Sequence, residues 1–333
     1  MTVVFKKRDP LPSKDQRLFT GRGILGWTAL FSLVLFLRNP ELTLRAMSDA
    51  LRLCAHSLIP ALFPCMVLSE VIVGSDAARV LGRLLRRPMD LLFGVSQTGA
   101  SAVFLGFLCG FPVGVRSVLS LYQRGCLDQK EAERLLSFCN APSPAFLVST
   151  VGVSLFGSRS FGWRLYGITL LSALITGILS RLSSRHPSKK RKGISPLPLH
   201  RSPRDGKGLS LLSQAVQSSA LSMMKLCAFV VFFSTFVKAI ESLLSHGAIS
   251  PLWLTLLLGL WEMTGGVVRS ATLPVHSHMV CAALIGWSGV SVHLQTVGLC
   301  DESSLSLRPY FFGRLLQALL NPLLLILTEA AIG

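Results

Sequence analysis

The chain has 333 residues, half of them apolar and only 15% charged, with a mean hydropathy of +0.56. So little charged surface would not cover so large a core in water, which argues against a soluble helical protein. The formal charge of +17 would suggest nucleic acid in a polar chain, but here the basic residues cluster beside apolar segments and read as topology signals. The partners expected are membrane lipids rather than nucleic acid.

The elements predicted in chain order are long apolar segments separated by short charged pieces. A helix needs about 20 residues to cross the hydrocarbon, and unpaired backbone is costly there, so helices are expected throughout. The basic stretch 1–22 is expected to be cytoplasmic, and Gly23–Leu37 is expected to cross outward as a retained first helix, since no small-residue cleavage site follows it. Ala50–Gly74 returns to a basic flank within Ser75–Asp90. Leu91–Val115 is interrupted by Gly110, Pro112 and Gly114 and is expected to be a re-entrant hairpin. Leu135–Leu155 and Phe161–Leu182 complete a first membrane half spanning 23–182.

A basic cytoplasmic loop is expected over 183–210; the stretch Arg181–Lys207 carries nine Lys or Arg against one acid, Asp205. The second half, 211–333, opens with a Ser- and Gln-rich approach, Gly208–Ala220, expected to lie along the interface. Leu221–Leu243 then crosses, Pro251–Leu273 forms a second hairpin, and His278–Gly298 and Phe311–Leu327 cross in turn. The parity of these spans makes the halves opposite in orientation. The fold class is therefore all-α: a polytopic membrane protein with two inverted repeats, re-entrant hairpins and broken transmembrane helices.

Both halves place polar residues in broken apolar runs, the pattern of a transporter site at a repeat interface. In the first, Asn140 and Ser143 lie beside Pro142 and Pro144; in the second, Glu262 and Thr264 precede Gly265 and Gly266, and Ser288, Ser291, His293 and Gln295 lie around Gly286 and Gly289. Proline lacks an amide donor and glycine tolerates bends, so both suit helix breaks or hinges. Freed backbone groups and these side chains can form a socket for a polar solute; the alternative is a kink that only aids helix packing. An intramembrane carboxylate is a functional-site hypothesis in itself, so Glu262 is expected to bind solute or carry a proton; His293, in the partner break, either titrates near neutral pH and shares in proton coupling or donates one fixed hydrogen bond; H+ or Na+ is the coupling ion considered. The alternative is an interfacial Glu262 paired with Arg269. Glu70 either faces the same cavity or meets the inner interface.

No catalytic constellation is present: there is no H-E-x-x-H, P-loop or nucleophile elbow, so no enzyme, metal or cofactor is expected. The eight cysteines form no C-x-x-C pair and read as small buried side chains.

Several motifs together resemble the YlbJ-like sporulation integral membrane proteins, which carry the nucleoside-recognition or Gate domain. They are Leu62-Phe63-Pro64 with Leu68-Ser69-Glu70, Gly110-Phe111-Pro112-Val113-Gly114, and Leu136-Ser137-Phe138-Cys139-Asn140 with Ser143-Pro144. In the second half they are Glu262-Met263-Thr264-Gly265-Gly266 and Gly286-Trp287-Ser288-Gly289 with Ser291-Val292-His293-Leu294-Gln295. The resemblance runs from about Ala50 to Leu327. It implies a multi-pass protein of the forespore or mother-cell membrane, acting in cortex assembly. Two functions are expected from the whole: a permease for a small polar solute, or a non-transporting scaffold that meets a second copy or spore-envelope proteins.

Overall fold

The computed structural model describes residues 21–75, 77–183, 208–244, 249–301 and 303–332. The basic stretch 1–20 and nearly all of the expected loop 183–210 lie outside the described residues. What is described is an all-α polytopic membrane protein. The helical stretches Pro40–Gly74, Arg159–Leu182, Leu209–Leu244, Ser277–Cys300 and Arg308–Ala331 are long and apolar enough to cross a bilayer. Large apolar side chains on these stretches, such as Leu171, Phe232, Leu319 and Leu323, stay exposed, which suits lipid contact and not water.

Helix α1 (Gly21–Arg38) is followed by α2 (Pro40–Leu53), which runs through a π-turn at Cys54–Leu58 into α3 (Ile59–Gly74). The chain then makes a corner rather than a loop. Amphipathic α4 (Ala77–Phe93) and apolar α5 (Gln97–Cys109) meet at 94°. Ser96 caps α5 by accepting from the Gly99 amide at 3.1 Å, and α7 (Gln129–Leu136) holds the corner from the other side. Glu131 Oε1 accepts from the Ser96 amide at 2.6 Å, and Arg134 Nη2 donates to the Gly94 carbonyl at 3.0 Å.

Glu131 lies outside the candidate spans. Burial raises its carboxyl above the ordinary range, opposed by the Ser96 hydrogen bonds and helped by the charge of Asp128. A carboxyl whose folded value exceeds its unfolded one favours folding below the unfolded value, and this contribution is lost as pH rises through the folded value. Unfolding temperature should therefore fall as pH rises from the ordinary carboxylate range toward neutrality. Glu131→Gln, which keeps an acceptor for Ser96, should flatten that fall; an unchanged pH profile in the variant would remove Glu131 as its source.

The first hairpin is formed by α5 and α6 (Val113–Gln123), with its tip at Gly110-Phe111-Pro112. It begins later and returns further than the expected Leu91–Val115, because the cap at Ser96 fixes its start and buried Val115, Val118, Leu119 and Leu121 prolong the returning arm. Beyond α7 the chain is irregular until α8 (Ala145–Leu155), which is wound as a π-helix, and α9 (Arg159–Ser183) follows.

The Ser- and Gln-rich approach is not a separate interfacial segment. It belongs to one continuous helix, α10 (Gly208–Leu244), of 37 residues and about 55 Å, longer than the roughly 30 Å of hydrocarbon. Its early serines are held by the first half: Arg116 donates to the hydroxyls of Ser218 and Ser222 and pairs with Glu70 at 2.5 Å. The second hairpin, α11 (Pro251–Trp261) and α12 (Met263–Ser270), turns at Glu262. Then come α13 (Ser277–Trp287), α14 (Gly289–Cys300) and α15 (Arg308–Ile332).

Four of the expected hinge glycines lie inside helices and serve close packing instead. Gly114 sits in α6 against the Cys139 carbonyl, Gly266 in α12 against Gly259, and Gly286 in α13 against the Gln317 carbonyl. Gly265 is in the first turn of α12, beside Glu262. The breaks themselves fall at Gly110–Pro112, through the stretch containing Pro142 and Pro144, at Glu262, and at Ser288–Gly289, where both residues have positive φ.

Candidate functional site

Each hairpin tip seats on the break of the helix that follows it. The Phe111 amide donates to the Ala141 carbonyl at 3.0 Å, and a Cβ on Gly110 would lie 2.5 Å from the Ser143 amide nitrogen. In the second half a Cβ on Gly289 would lie 2.8 Å from the Met263 amide nitrogen. Backbone thus meets backbone at both places, which answers the need of broken segments in hydrocarbon for internal partners.

The two tip-and-break pairs face one narrow cavity. Its walls include Phe111, Pro142 and Ser143 from the first half, and Glu262, Thr264, Ser291 and Gln295 from the second. Leu58 and Leu62, at and just after the π-turn, and Leu226 and Val230 of α10 close its sides. Its volume is about 20 Å³, room for about one water molecule, so the conformation is closed around it. A wider polar space of about 350 Å³ begins one turn further along α3, lined by Ser69, Glu70, Arg116, Gln123 and Ser218. Glu70 therefore faces this vestibule, paired with Arg116, and not the closed cavity.

Glu262 is fully buried, and its carboxylate caps α12: Oε1 accepts from the Thr264 amide at 2.8 Å and Oε2 from the Gly265 amide at 2.5 Å. A carboxylate at a helix N-terminus meets unpaired N–H groups and the positive end of the helix dipole, which explains an acid at this depth. The expected alternative partner, Arg269, is engaged elsewhere. It pairs with Glu241 and donates to Thr255 Oγ1 at 3.2 Å.

Of the residues singled out in the sequence, Ser143, Glu262, Thr264, Ser291 and Gln295 line the cavity together. Asn140, Ser288 and His293 lie behind it, against α15. His293 Nδ1 is 2.9 Å from Tyr310 Oη, and its ring is enclosed by Trp287, Tyr310 and Phe311. It does not meet Glu262 across the cavity.

The sequence reading missed α15 as a site element. This helix lies between the two breaks: a Cβ on Gly313 would fall 2.1 Å from the Ser137 carbonyl oxygen, and one on Gly286 would fall 2.3 Å from the Gln317 carbonyl oxygen. Tyr310, Arg314, Gln317 and Asn321 form a fully buried stripe along it. Gln317 Nε2 donates to the Ser137 carbonyl at 3.2 Å, Arg314 Nη1 to Ser288 Oγ at 3.1 Å, and Asn321 Nδ2 to the Ala282 carbonyl at 3.2 Å. The available signal was the 4-3-4 spacing of polar residues on one helical face within an apolar run. Among the described residues no group of three or more His, Cys, Asp or Glu is placed to hold a metal ion.

With this arrangement in view, comparison with known proteins gives one informative likeness. The chain is similar to the sporulation integral membrane protein YlbJ of Bacillus subtilis (strain 168), 28% identical over 317 residues, which covers 86% of this chain and 78% of that protein. No protein-family model matches the chain, and no solved structure matches it.

Proposed function

We propose that the chain is a transporter for a small polar solute, working in a sporulation membrane at the stage of cortex assembly. The observation that carries this reading is the convergence of two hairpin tips and two helix breaks on one closed cavity with a polar vestibule beside it. The sporulation assignment rests on the likeness to YlbJ, and the forespore or mother-cell membrane is the location that follows from it.

The order of elements supports a repeated design. A long helix, a hairpin, a broken helix and a further long helix occur first as α2–α3, α5–α6, α7–α8 and α9. They recur as α10, α11–α12, α13–α14 and α15. In this reading the halves are inverted Gate-like repeats, and their relative movement opens the cavity to one side and then to the other. Glu262 is the acid at the cavity wall, placed to meet a coupling H+ or Na+.

The test is uptake by proteoliposomes offered a mixed pool of small metabolites, compared with empty liposomes. We expect one or a few polar solutes to accumulate. Gln295→Ala should reduce their uptake about tenfold, the effect of losing one hydrogen bond to a desolvated ligand, about 1–3 kcal/mol. Unchanged metabolite content relative to empty liposomes would favour the scaffold reading.

A further inference from the structure

Arg314 is buried within α15, with no exposed surface. A guanidinium in such a place is ordinarily paired with a carboxylate, because an unpaired buried charge is costly. Among the described residues no salt bridge reaches Arg314. Its one hydrogen bond uses Nη1, which donates to Ser288 Oγ, while Nε and Nη2 have no partner. These two nitrogens form one edge of the guanidinium, whose parallel N–H bonds match the two oxygens of a carboxylate or phosphate.

Its surroundings carry the same mark. The amide of Asn140 lies beside Tyr310 Oη but makes no hydrogen bond of good geometry, and Ser291 Oγ, His293 Nε2 and Gln317 Oε1 are also buried without partners. Asn321, further along the same stripe, shows the contrast: it accepts from Ser172 Oγ at 2.5 Å and donates to the Ala282 carbonyl. Unmet polar groups therefore gather around Arg314 and the two breaks, and Ser291 belongs both to this group and to the cavity wall.

We infer that Arg314 is the anchor of an anion site, and that the solute is a small organic monocarboxylate whose carboxylate docks on the Nε–Nη2 edge. This rests on the transport reading for what happens after binding. The choice of a single negative charge follows from charge balance. One guanidinium neutralises one carboxylate, whereas a phosphate carrying close to two charges would leave a net anion in a dry interior. Asn140 and Ser291 supply the donors that remain, and the rest of the solute extends into the cavity between the hairpin tips.

The experiment is calorimetric titration of the full chain in lipid nanodiscs with acetate, lactate and benzoate, their neutral amides, and inorganic phosphate. At least one carboxylate should bind more than tenfold tighter than its amide and tighter than phosphate. Arg314→Gln should erase that preference, Arg314→Lys should keep a weakened one, and without ligand Arg314→Gln should unfold at or above the wild-type temperature, since it removes an unpaired charge. Equal binding of acids and amides, tighter binding of phosphate, or a preference that survives Arg314→Gln would overturn the inference. Should Arg314→Gln not fold, the wild-type comparison and Arg314→Lys decide. Carboxylate binding without flux would support the anion site and remove the transport reading; flux of a neutral solute untouched by Arg314→Lys would do the reverse.

Discussion

Glu262→Ala is expected to abolish solute flux and to destabilise the second hairpin by about 2–4 kcal/mol. The buried amide of Thr264 and the part-buried amide of Gly265 lose their acceptor together; an unsatisfied buried donor costs about 1–3 kcal/mol, and one that water can reach costs less. The tip they form lies directly against Gly289, so its loss also frees the second break. Glu262→Gln separates the two roles considered for this residue. Its single carbonyl oxygen can still accept from an amide, so about half of the stability should return. If Glu262 also carries the coupling proton, flux driven by a proton gradient should stay absent in this stable variant. Thermal unfolding in detergent and gradient-driven uptake in sealed vesicles measure the two effects. An unfolding temperature unmoved by Glu262→Ala would mean that the cap contributes nothing.

The second large effect is expected at Gly106 and Gly114. A Cβ on either would lie 2.2 Å from the carbonyl oxygen of Cys139, so hairpin and break approach each other through backbone alone. The obstacle is a carbonyl fixed within a packed turn and not the end of a flexible side chain, so relief requires moving the break itself. Gly106→Ala and Gly114→Ala should each cost about 3 kcal/mol and stop flux, near the upper end for overpacking. The double variant should cost less than the sum, because both methyl groups displace the same carbonyl. Gly167 of α9, with open space where a Cβ would go, is the control, and Gly167→Ala should leave the unfolding temperature unchanged or slightly higher. Equal behaviour of all three alanine variants would contradict the close approach at Cys139.

Much of the architecture is legible locally. Long apolar runs select helices because hydrocarbon leaves no other partner for the backbone, and proline, glycine and polar residues inside such runs mark where a helix stops. The tips at Gly110–Pro112 and Glu262 and the breaks near Asn140 and Ser288 follow from that chemistry within a few residues of each position. Lengths were harder. The hairpin arm past Val115 is held by buried Val118, Leu119 and Leu121, and the early part of α10 meets Arg116 through Ser218 and Ser222, partners about a hundred positions away.

Segment composition alone is enough to specify an all-helical membrane chain with broken segments in both halves, because burial in lipid acts on each segment separately. What the polar residues do depends on packing between segments. Glu262 is a cap because its own helix begins there, and Arg269 goes to Glu241 because α10 and not the hairpin tip faces it. By local composition Arg314, near the start of an apolar segment, has the position of an interfacial anchor. It becomes an unpaired charge in the interior once α15 packs between breaks that lie far apart in sequence, with Gln317 on the Ser137 carbonyl and Arg314 on Ser288. Local composition sets where the backbone stops; which side chains are left facing one another is set by helix packing across the chain.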